Sequence, residues 1–249
     1  MSSKTVFDPL GYPIIQYKLD FSDEVNQYLI DAAYKVDAVV RKNGDKIKGT
    51  NPIGTKYNNN EDSYIGAHSP PLNRCQFFPG FPDEFHGALI QCVLDYAKET
   101  GMAIRAGRLG TSFYVERGWS TITKPGDMIS GHTHPFHSIS SAYYPIWEEG
   151  QGGIWFSMRK PTDAIDTYAP EEGLNAKSVI KPETSSLILF PSWIPHGTTP
   201  NKTEKDRISY SFDFNGLGMD YKLPPTELVH RHWEQFDIEL EELGIKEVL

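Results

Sequence analysis

The pattern of apolar and polar positions divides the chain into a helical first part and a β-rich second part. Apolar residues recur at helical spacing over residues 22–42, SDEVNQYLIDAAYKVDAVVRK, where Ser22 is a suitable N-cap. A second helix is predicted over residues 82–100, with acidic residues in its first turn and Gly101 after its last. The stretch YPIIQYKLDF before both helices predicts a strand. Residues 1–105 are therefore expected to form an N-terminal strand and helical layer.

From about residue 106 the pattern changes to short runs rich in aromatic and β-branched residues, separated by turn residues. Examples are TSFYVERG, SSLILFPSW and RISYSFDFNG. Short strands at regular spacing are typical of a sandwich, jelly roll or barrel. We predict a mainly β fold with flanking helices, with a jelly-roll core over about 106–215 and a C-terminal extension over 216–249. Because no repeat and no linker is evident, residues 1–249 are predicted to form one domain.

Composition narrows the class of protein. The 249 residues are 39% hydrophobic and 12% aromatic, which is typical of a folded globular chain. A net charge of −9 disfavours binding to nucleic-acid phosphates. Cys75 and Cys92 form no closely spaced pair, which favours reduced thiols. Without an apolar run of bilayer length or a signal segment, we expect a soluble cytoplasmic protein with no membrane partner.

Histidines supply the candidate chemistry. His132 and His134 lie two positions apart in GHTHP, so a strand would place both rings on one face, within reach of one ion. The best third contributor is His196, which follows an apolar strand in LILFPSWIPH. The interval leaves room for roughly four or five short strands, which could bring the two ends together across a jelly roll. His137 would lie on the opposite face of a continuing strand and is a weaker candidate.

A second candidate feature is the strand RISYSF, whose alternation places Arg207 and Ser209 on one face. An arginine inside a β-fold is costly unless it meets an anion. That anion is either a bound molecule or an internal acid such as Asp213, which the same alternation places on the same face. The residues alone leave both alternatives open.

The combination of H-x-H, a long interval, LFPSWIPH and then R-x-S resembles the Fe(II)- and 2-oxoglutarate-dependent oxygenases. More narrowly it is similar to the branch with H-x-H-P followed by LFPSWxxH and RISxSF, over about residues 119–214. The resemblance implies a double-stranded β-helix, the jelly roll that cupins also have. It implies a dioxygenase that uses O₂ and couples oxidation of an unidentified small-molecule or peptide substrate, most simply its hydroxylation, to decarboxylation of 2-oxoglutarate to succinate.

Residue by residue, the resemblance implies two iron ligands, His132 and His196. It implies that Arg207 pairs with the far carboxylate of 2-oxoglutarate, that Ser209 hydrogen-bonds it, and that Tyr144 lies beside it. These roles are chemically reasonable, because a planar guanidinium can hold a carboxylate through two parallel hydrogen bonds.

His134 departs from the family pattern, which has H-x-D. It could coordinate as a third histidine, it could stand behind the metal and leave two histidine ligands, or a remote acid such as Asp127 could replace the missing carboxylate. We favour coordination, because imidazole is a competent ligand and its position matches that of the carboxylate.

A cupin-type metal-binding protein is the alternative, either another dioxygenase, an isomerase or a non-catalytic small-molecule binder. Gly126 followed by H-x-H matches the opening of the cupin motif, but Ser138 and Ile139 stand where that motif has its glutamate. A cupin also gives no reason for Arg207. A protein that has kept the fold and lost the metal is a third hypothesis.

Overall fold

Ten strands and two helices make up the part of the chain that the computed structural model describes, which is residues 3–8, 12–43, 64–66, 83–101, 113–134, 137–157 and 177–216. The helices are α1 (Asp23–Asn43) and α2 (Asp83–Glu99). The strands are β1 (Ser3–Phe7), β2 (Ile14–Lys18), β3 (Tyr64–Gly66), β4 (Phe113–Thr123), β5 (Ile139–Tyr144), β6 (Ile154–Ser157), β7 (Lys177–Ile180), β8 (Ser186–Pro191), β9 (His196–Thr198) and β10 (Arg207–Gly216).

The strands form two sheets. The large sheet has the order β1-β2-β8-β5-β10-β4-β3, and the small sheet has the order β7-β6-β9. Every strand pairing in the described residues is antiparallel. The predicted mainly β jelly roll with flanking helices is confirmed.

Both helices begin and end where the sequence predicts. The Ser22 hydroxyl accepts a hydrogen bond from the Val25 amide at 3.4 Å, which caps α1. After α2, Gly101 has a φ of +67°, a left-handed conformation that is typical of the residue after a helix.

The first strands are more closely integrated than the predicted N-terminal layer suggests. The sequence predicts one strand here, whereas the structure has the hairpin β1–β2, and β2 pairs with β8 inside the large sheet. The N-terminal residues therefore extend the jelly-roll sheet as well as covering it.

Strand alternation divides the apolar residues between two cores. On β8, Leu187 and Leu189 pack in a cluster with α1 and α2 residues such as Leu29 and Phe85. Their neighbour Phe190 faces the other way, into a cluster that includes residues of the small sheet. The large sheet thus has its helices on one face and the small sheet on the other. Inward-facing polar residues of β10 lie on the small-sheet side, since Ile208, Tyr210, Phe212 and Phe214 all pack with the helices.

Several predictions fall on other residues. The extension after residue 216 and most of the loop over residues 43–80 lie outside the described residues. The single-domain organisation stays a prediction. None of the helices in the described ranges combines the length and the apolar character that a membrane span requires.

Candidate metal centre

The three predicted histidines meet at the junction between the sheets. β8 ends at Pro191, a turn closed by the Ile194 amide on the Pro191 carbonyl follows, and β9 begins at His196. His132 and His196 exchange two backbone hydrogen bonds of 2.9 and 3.0 Å, which form an antiparallel bridge. The His134 amide donates to the Ser192 carbonyl at 2.9 Å. Both histidines of the H-x-H pair are therefore fixed by backbone contacts to the 192–196 turn, although beyond this bridge they lie outside a regular strand, contrary to the prediction.

Each of the three rings is held through its Nδ1 atom. His132 Nδ1 lies 2.9 Å from the Ser130 carbonyl, and His196 Nδ1 lies 2.8 Å from the Ile194 carbonyl. Because a carbonyl oxygen only accepts, these Nδ1 atoms carry a hydrogen, and in the neutral ring the lone pair is then on Nε2. The nitrogen that each ring can offer to a metal is therefore Nε2.

The cluster has the geometry that a metal requires, and the pKa of one of its rings is shifted in the favourable direction. One ligand nitrogen from each of His132, His134 and His196 lies within 4.8 Å of the others, and the ring centroids are 4.4 to 4.9 Å apart. Burial lowers the pKa of His196 well below its usual value, and the nearby His132 and His134 lower it further. A ring that stays neutral near pH 7 is a competent metal ligand.

A buried carboxylate stands behind His134. Asp213 Oδ1 lies 2.7 Å from His134 Nδ1, and the Ser140 hydroxyl donates to the same oxygen at 2.5 Å. Asp213 is fully buried. In the described residues, the group of converging ligand atoms consists of the three histidines and includes neither Asp127 nor Asp213. The structure therefore gives no support to Asp127 as the replacement carboxylate.

His137 and Trp119 border the cluster without joining it. His137 Nδ1 is 4.0 Å from the other oxygen of Asp213, which agrees with its ranking as the weaker candidate. The Trp119 ring on β4 packs edge-on against His134 with centroids 5.3 Å apart. Sequence reasoning missed the contact of Asp213 with His134, although alternation already placed Asp213 on the inner face of β10.

Arg207 is a buried cation whose hydrogen-bond partners are neutral oxygens. It is 1% exposed. Nη1 donates to the Gln151 carbonyl at 2.6 Å and the Thr199 carbonyl at 3.1 Å. Nη2 donates to the hydroxyls of Thr198 at 2.7 Å and Thr123 at 3.4 Å. Burial lowers the pKa of Arg207, while the neighbouring Tyr144 raises it.

Asp213 is not the anion that meets Arg207. Both residues lie on the inner face of β10, as predicted, but six positions separate them, or about 20 Å along a strand. Asp213 contacts the histidine cluster instead. One of the two alternatives for Arg207, an internal salt bridge to Asp213, is therefore wrong.

Tyr144 and Ser209 are buried near Arg207. Tyr144 is 2% exposed, and burial raises its pKa while Arg207 lowers it, so its hydroxyl keeps its proton near neutral pH. Ser209 is 5% exposed and lies on the same face of β10 as Arg207. Tyr143 faces the opposite side, where its hydroxyl donates to Asn26 at 2.6 Å in the helix-side core.

The distance between the histidines and Arg207 is short. His196 and Thr198 are next-but-one neighbours on β9, so they share a face with a spacing of about 7 Å. Thr198 in turn contacts the guanidinium. Three ring nitrogens are thus followed by a cation at a distance that a short dicarboxylate could span. Imidazole nitrogens suit iron, as they suit zinc, copper and nickel, so the donors present fit Fe(II).

Comparison with known proteins gives one family match. A family model described as "Putative 2OG-Fe(II) oxygenase" matches residues 117–213. No curated protein sequence matches the chain. Among solved structures, the chain is similar to a Pseudomonas putida prolyl-4-hydroxylase, with 14% identity and a TM-score of 0.45 over 84% of this chain and 95% of that one.

Two further structures are similar at the same level. One is the non-heme monooxygenase ThoJ as its nickel complex, with 11% identity and a TM-score of 0.49 over 94% of this chain and 95% of that one. The other is HygX from Streptomyces hygroscopicus with nickel and 2-oxoglutarate bound, with 10% identity and a TM-score of 0.46 over 81% of this chain and 82% of that one. The family match over residues 117–213 includes all three histidines and Arg207, so this part of the chain is similar to the 2OG-Fe(II) oxygenases.

Proposed function

We propose that this protein is an Fe(II)- and 2-oxoglutarate-dependent oxygenase that hydroxylates a small-molecule or peptide substrate and couples that oxidation to decarboxylation of 2-oxoglutarate. One oxygen atom of O₂ enters the substrate as a hydroxyl group, the other enters succinate, and CO₂ leaves. The proposed site has two parts, three metal ligands and three residues for 2-oxoglutarate. They are His132, His134 and His196 for Fe(II), and Arg207, Ser209 and Tyr144 for the cosubstrate.

The observation that carries the proposal is a buried guanidinium that has no carboxylate partner among the described residues and lies beside three converging imidazoles. Burying a charge is costly unless an opposite charge compensates it. The described partners of Arg207 are two carbonyls and two hydroxyls, which are neutral, so the positive charge has no counter-ion among the described residues. A dicarboxylate between the histidines and Arg207 would supply that counter-ion.

The protein residues divide the work of binding. Fe(II), when bound, supplies the electrons and open coordination positions needed to activate O₂. The three histidines would hold the metal, because one ligand nitrogen from each converges and their Nδ1 atoms are tied to the protein. Arg207 would bind the far carboxylate of 2-oxoglutarate, and the protonated Tyr144 hydroxyl would be available as a further donor. Arg207 is almost completely buried, so little water reaches this end of the site.

The test is anaerobic addition of Fe(II) and 2-oxoglutarate to the purified chain, followed by visible spectroscopy. A metal-to-ligand charge-transfer band is expected for the wild type and should be lost in His196→Ala. Succinate release in air should then be screened against metabolites and peptides to identify the substrate. A protein that binds Fe(II) without producing this band with 2-oxoglutarate would be a cupin-type metal binder, and the proposal would fail.

A further inference from the structure

We propose that Asp213 is a positioning residue that acts through His134, and that it supplies from behind the ring the negative charge that the common H-x-D pattern supplies by direct coordination. The inference rests on the proposed function, since it assumes that the three histidines hold the metal. The inference goes beyond the proposed function because it gives a role to Asp213, an acid that neither the motif nor the family match singles out.

The contacts single out Asp213. Its Oδ1 atom accepts from His134 Nδ1 at 2.7 Å, the short distance expected of a charge-assisted hydrogen bond. Ser140 donates to the same oxygen at 2.5 Å and lies 3.0 Å from His134 Nδ1, so serine, carboxylate and imidazole form one closed group. Ser192, whose carbonyl holds the His134 amide, contacts the Ser140 hydroxyl at 2.9 Å.

The other two rings provide an internal comparison. His132 and His196 donate Nδ1–H to backbone carbonyls, which are neutral. Only His134, among these three, has a carboxylate in that place. The carboxylate therefore backs the ring that occupies the position where the family pattern has aspartate.

Two effects follow from this contact. In the neutral ring that a metal requires, the hydrogen bond to Asp213 places the hydrogen on Nδ1, so the lone pair that can face the other two rings is on Nε2. A carboxylate hydrogen-bonded to a ligating imidazole also makes the ring a stronger donor to a metal. Asp213 is fully buried on β10, an interior strand of the large sheet, so solvent weakens neither effect.

The same contact changes the expectation for His134→Asp. That substitution restores the H-x-D pattern of the family, but it introduces a second carboxylate close to the buried Asp213. Two negative charges in a buried site repel each other. We expect His134→Asp alone to bind Fe(II) poorly, and the double variant His134→Asp/Asp213→Asn to bind more tightly than the single one.

The experiment measures the anaerobic dissociation constant of Fe(II) alone, by titration of the metal-free protein. The variants are Asp213→Asn, Ser140→Ala and the His134→Asp pair, with Asp95→Asn as matched control. Asp95→Asn also removes a carboxylate that accepts two side-chain hydrogen bonds, but the donors there are Lys4 and Tyr17, away from the site. Asp213→Asn should weaken Fe(II) binding about 10- to 100-fold, as is common for groups behind a metal ligand, and Asp95→Asn should not change it.

A spectroscopic measurement separates positioning from folding. Co(II) bound to Asp213→Asn should show ligand-field bands that are shifted from the wild type, because the donor strength of His134 has changed. A purely structural role would lower the melting temperature of the metal-free protein and leave the bands of the bound ion unchanged. Thermal unfolding of each metal-free variant is measured in parallel.

The outcomes are distinct. Wild-type Fe(II) affinity and Co(II) bands in Asp213→Asn, with affinity lost in His196→Ala, would overturn this inference and leave the proposed function standing. Unchanged affinity in both His132→Ala and His196→Ala would overturn the proposed function itself. If Asp213→Asn does not fold, the single variant His134→Asp decides, since Fe(II) binding as tight as in the wild type, with Asp213 still present, contradicts the proposal.

Discussion

Replacement of Arg207 by alanine tests the cosubstrate pocket most directly. The guanidinium is 1% exposed, so a carboxylate that binds there loses its water and depends on this side chain for compensation. Removing one partner of a buried charge pair costs about 3–5 kcal/mol, which corresponds to a loss of roughly a hundredfold or more in affinity. We expect the dissociation constant of 2-oxoglutarate to rise by at least that factor.

Lysine at this position should recover only part of the affinity. It keeps the positive charge, but it cannot form two parallel hydrogen bonds to one carboxylate. It also cannot reproduce the four contacts that hold the guanidinium to Gln151, Thr198, Thr199 and Thr123. Arg207→Lys is therefore expected to lie between wild type and Arg207→Ala.

The assay is anaerobic titration of the Fe(II)-loaded protein with 2-oxoglutarate, followed by the charge-transfer band. Lys205→Ala is the matched control, because it removes a cation two residues away that is exposed and paired with Glu148. Fe(II) affinity is measured separately, since Arg207 contacts none of the histidines. Equal 2-oxoglutarate affinity in wild type and Arg207→Ala would refute the reasoning and identify the arginine as structural.

Three other predictions concern the protein without ligands. Because burial lowers the pKa of His196 while the unfolded chain titrates normally, protons favour the unfolded state, and stability should fall as the pH drops below about 6.5. Chemical unfolding at several pH values should show this loss. In His196→Gln, the number of protons taken up on unfolding, which the slope of stability against pH gives, should fall by up to one. Burial raises the pKa of the Cys92 thiol to about 12, so in a Cys75→Ser background a thiol reagent at pH 8 should label the native protein slowly and the denatured protein fast, and equal rates would refute this. Gly152→Ala should lower stability by more than about 1 kcal/mol, because Gly152 has a φ of +82° and a Cβ there would lie 2.5 Å from a carbonyl oxygen; Gly87→Ala on α2, with open space at Cβ, should stabilise by up to about 1 kcal/mol in the same thermal assay.

Sequence periodicity predicted the helices and strands well, but it did not predict which strands pair with each other. Helical spacing over residues 22–42 and 82–100 gave both helices to within a residue or two at each end, because each buries one stripe of apolar side chains. The pairing of β2 with β8 joins residues more than 160 positions apart. No local pattern encodes such a pairing, so the entry of the N-terminal strands into the large sheet could not be predicted.

The site shows the same limit at the level of single residues. The motifs identified His132, His134 and His196, and the structure brings them together. Alternation correctly placed Arg207 and Asp213 on one face, yet it gives only the face and not the distance along the strand. The pairing of Asp213 with His134 depends on how the turn at residues 192–196 folds against β10, which is a property of the tertiary structure.

The polarity of the inner face of β10 links these observations. One end carries Asp213 beside the histidine cluster, and the other carries Arg207, about 20 Å away along the strand. A site with a divalent metal ion and a carboxylate behind a ligand ring has a certain total charge. An H-x-D site, in which the carboxylate binds the metal directly, has the same total charge. The negative charge is one imidazole ring further away, and Coulomb attraction weakens with distance. A dicarboxylate cosubstrate therefore meets a more exposed positive charge at the metal end than in an H-x-D site, and it meets the buried guanidinium at the other end. Both ends of the site then favour the same ligand class, which is why replacing Arg207 should reduce 2-oxoglutarate affinity strongly while leaving the metal in place.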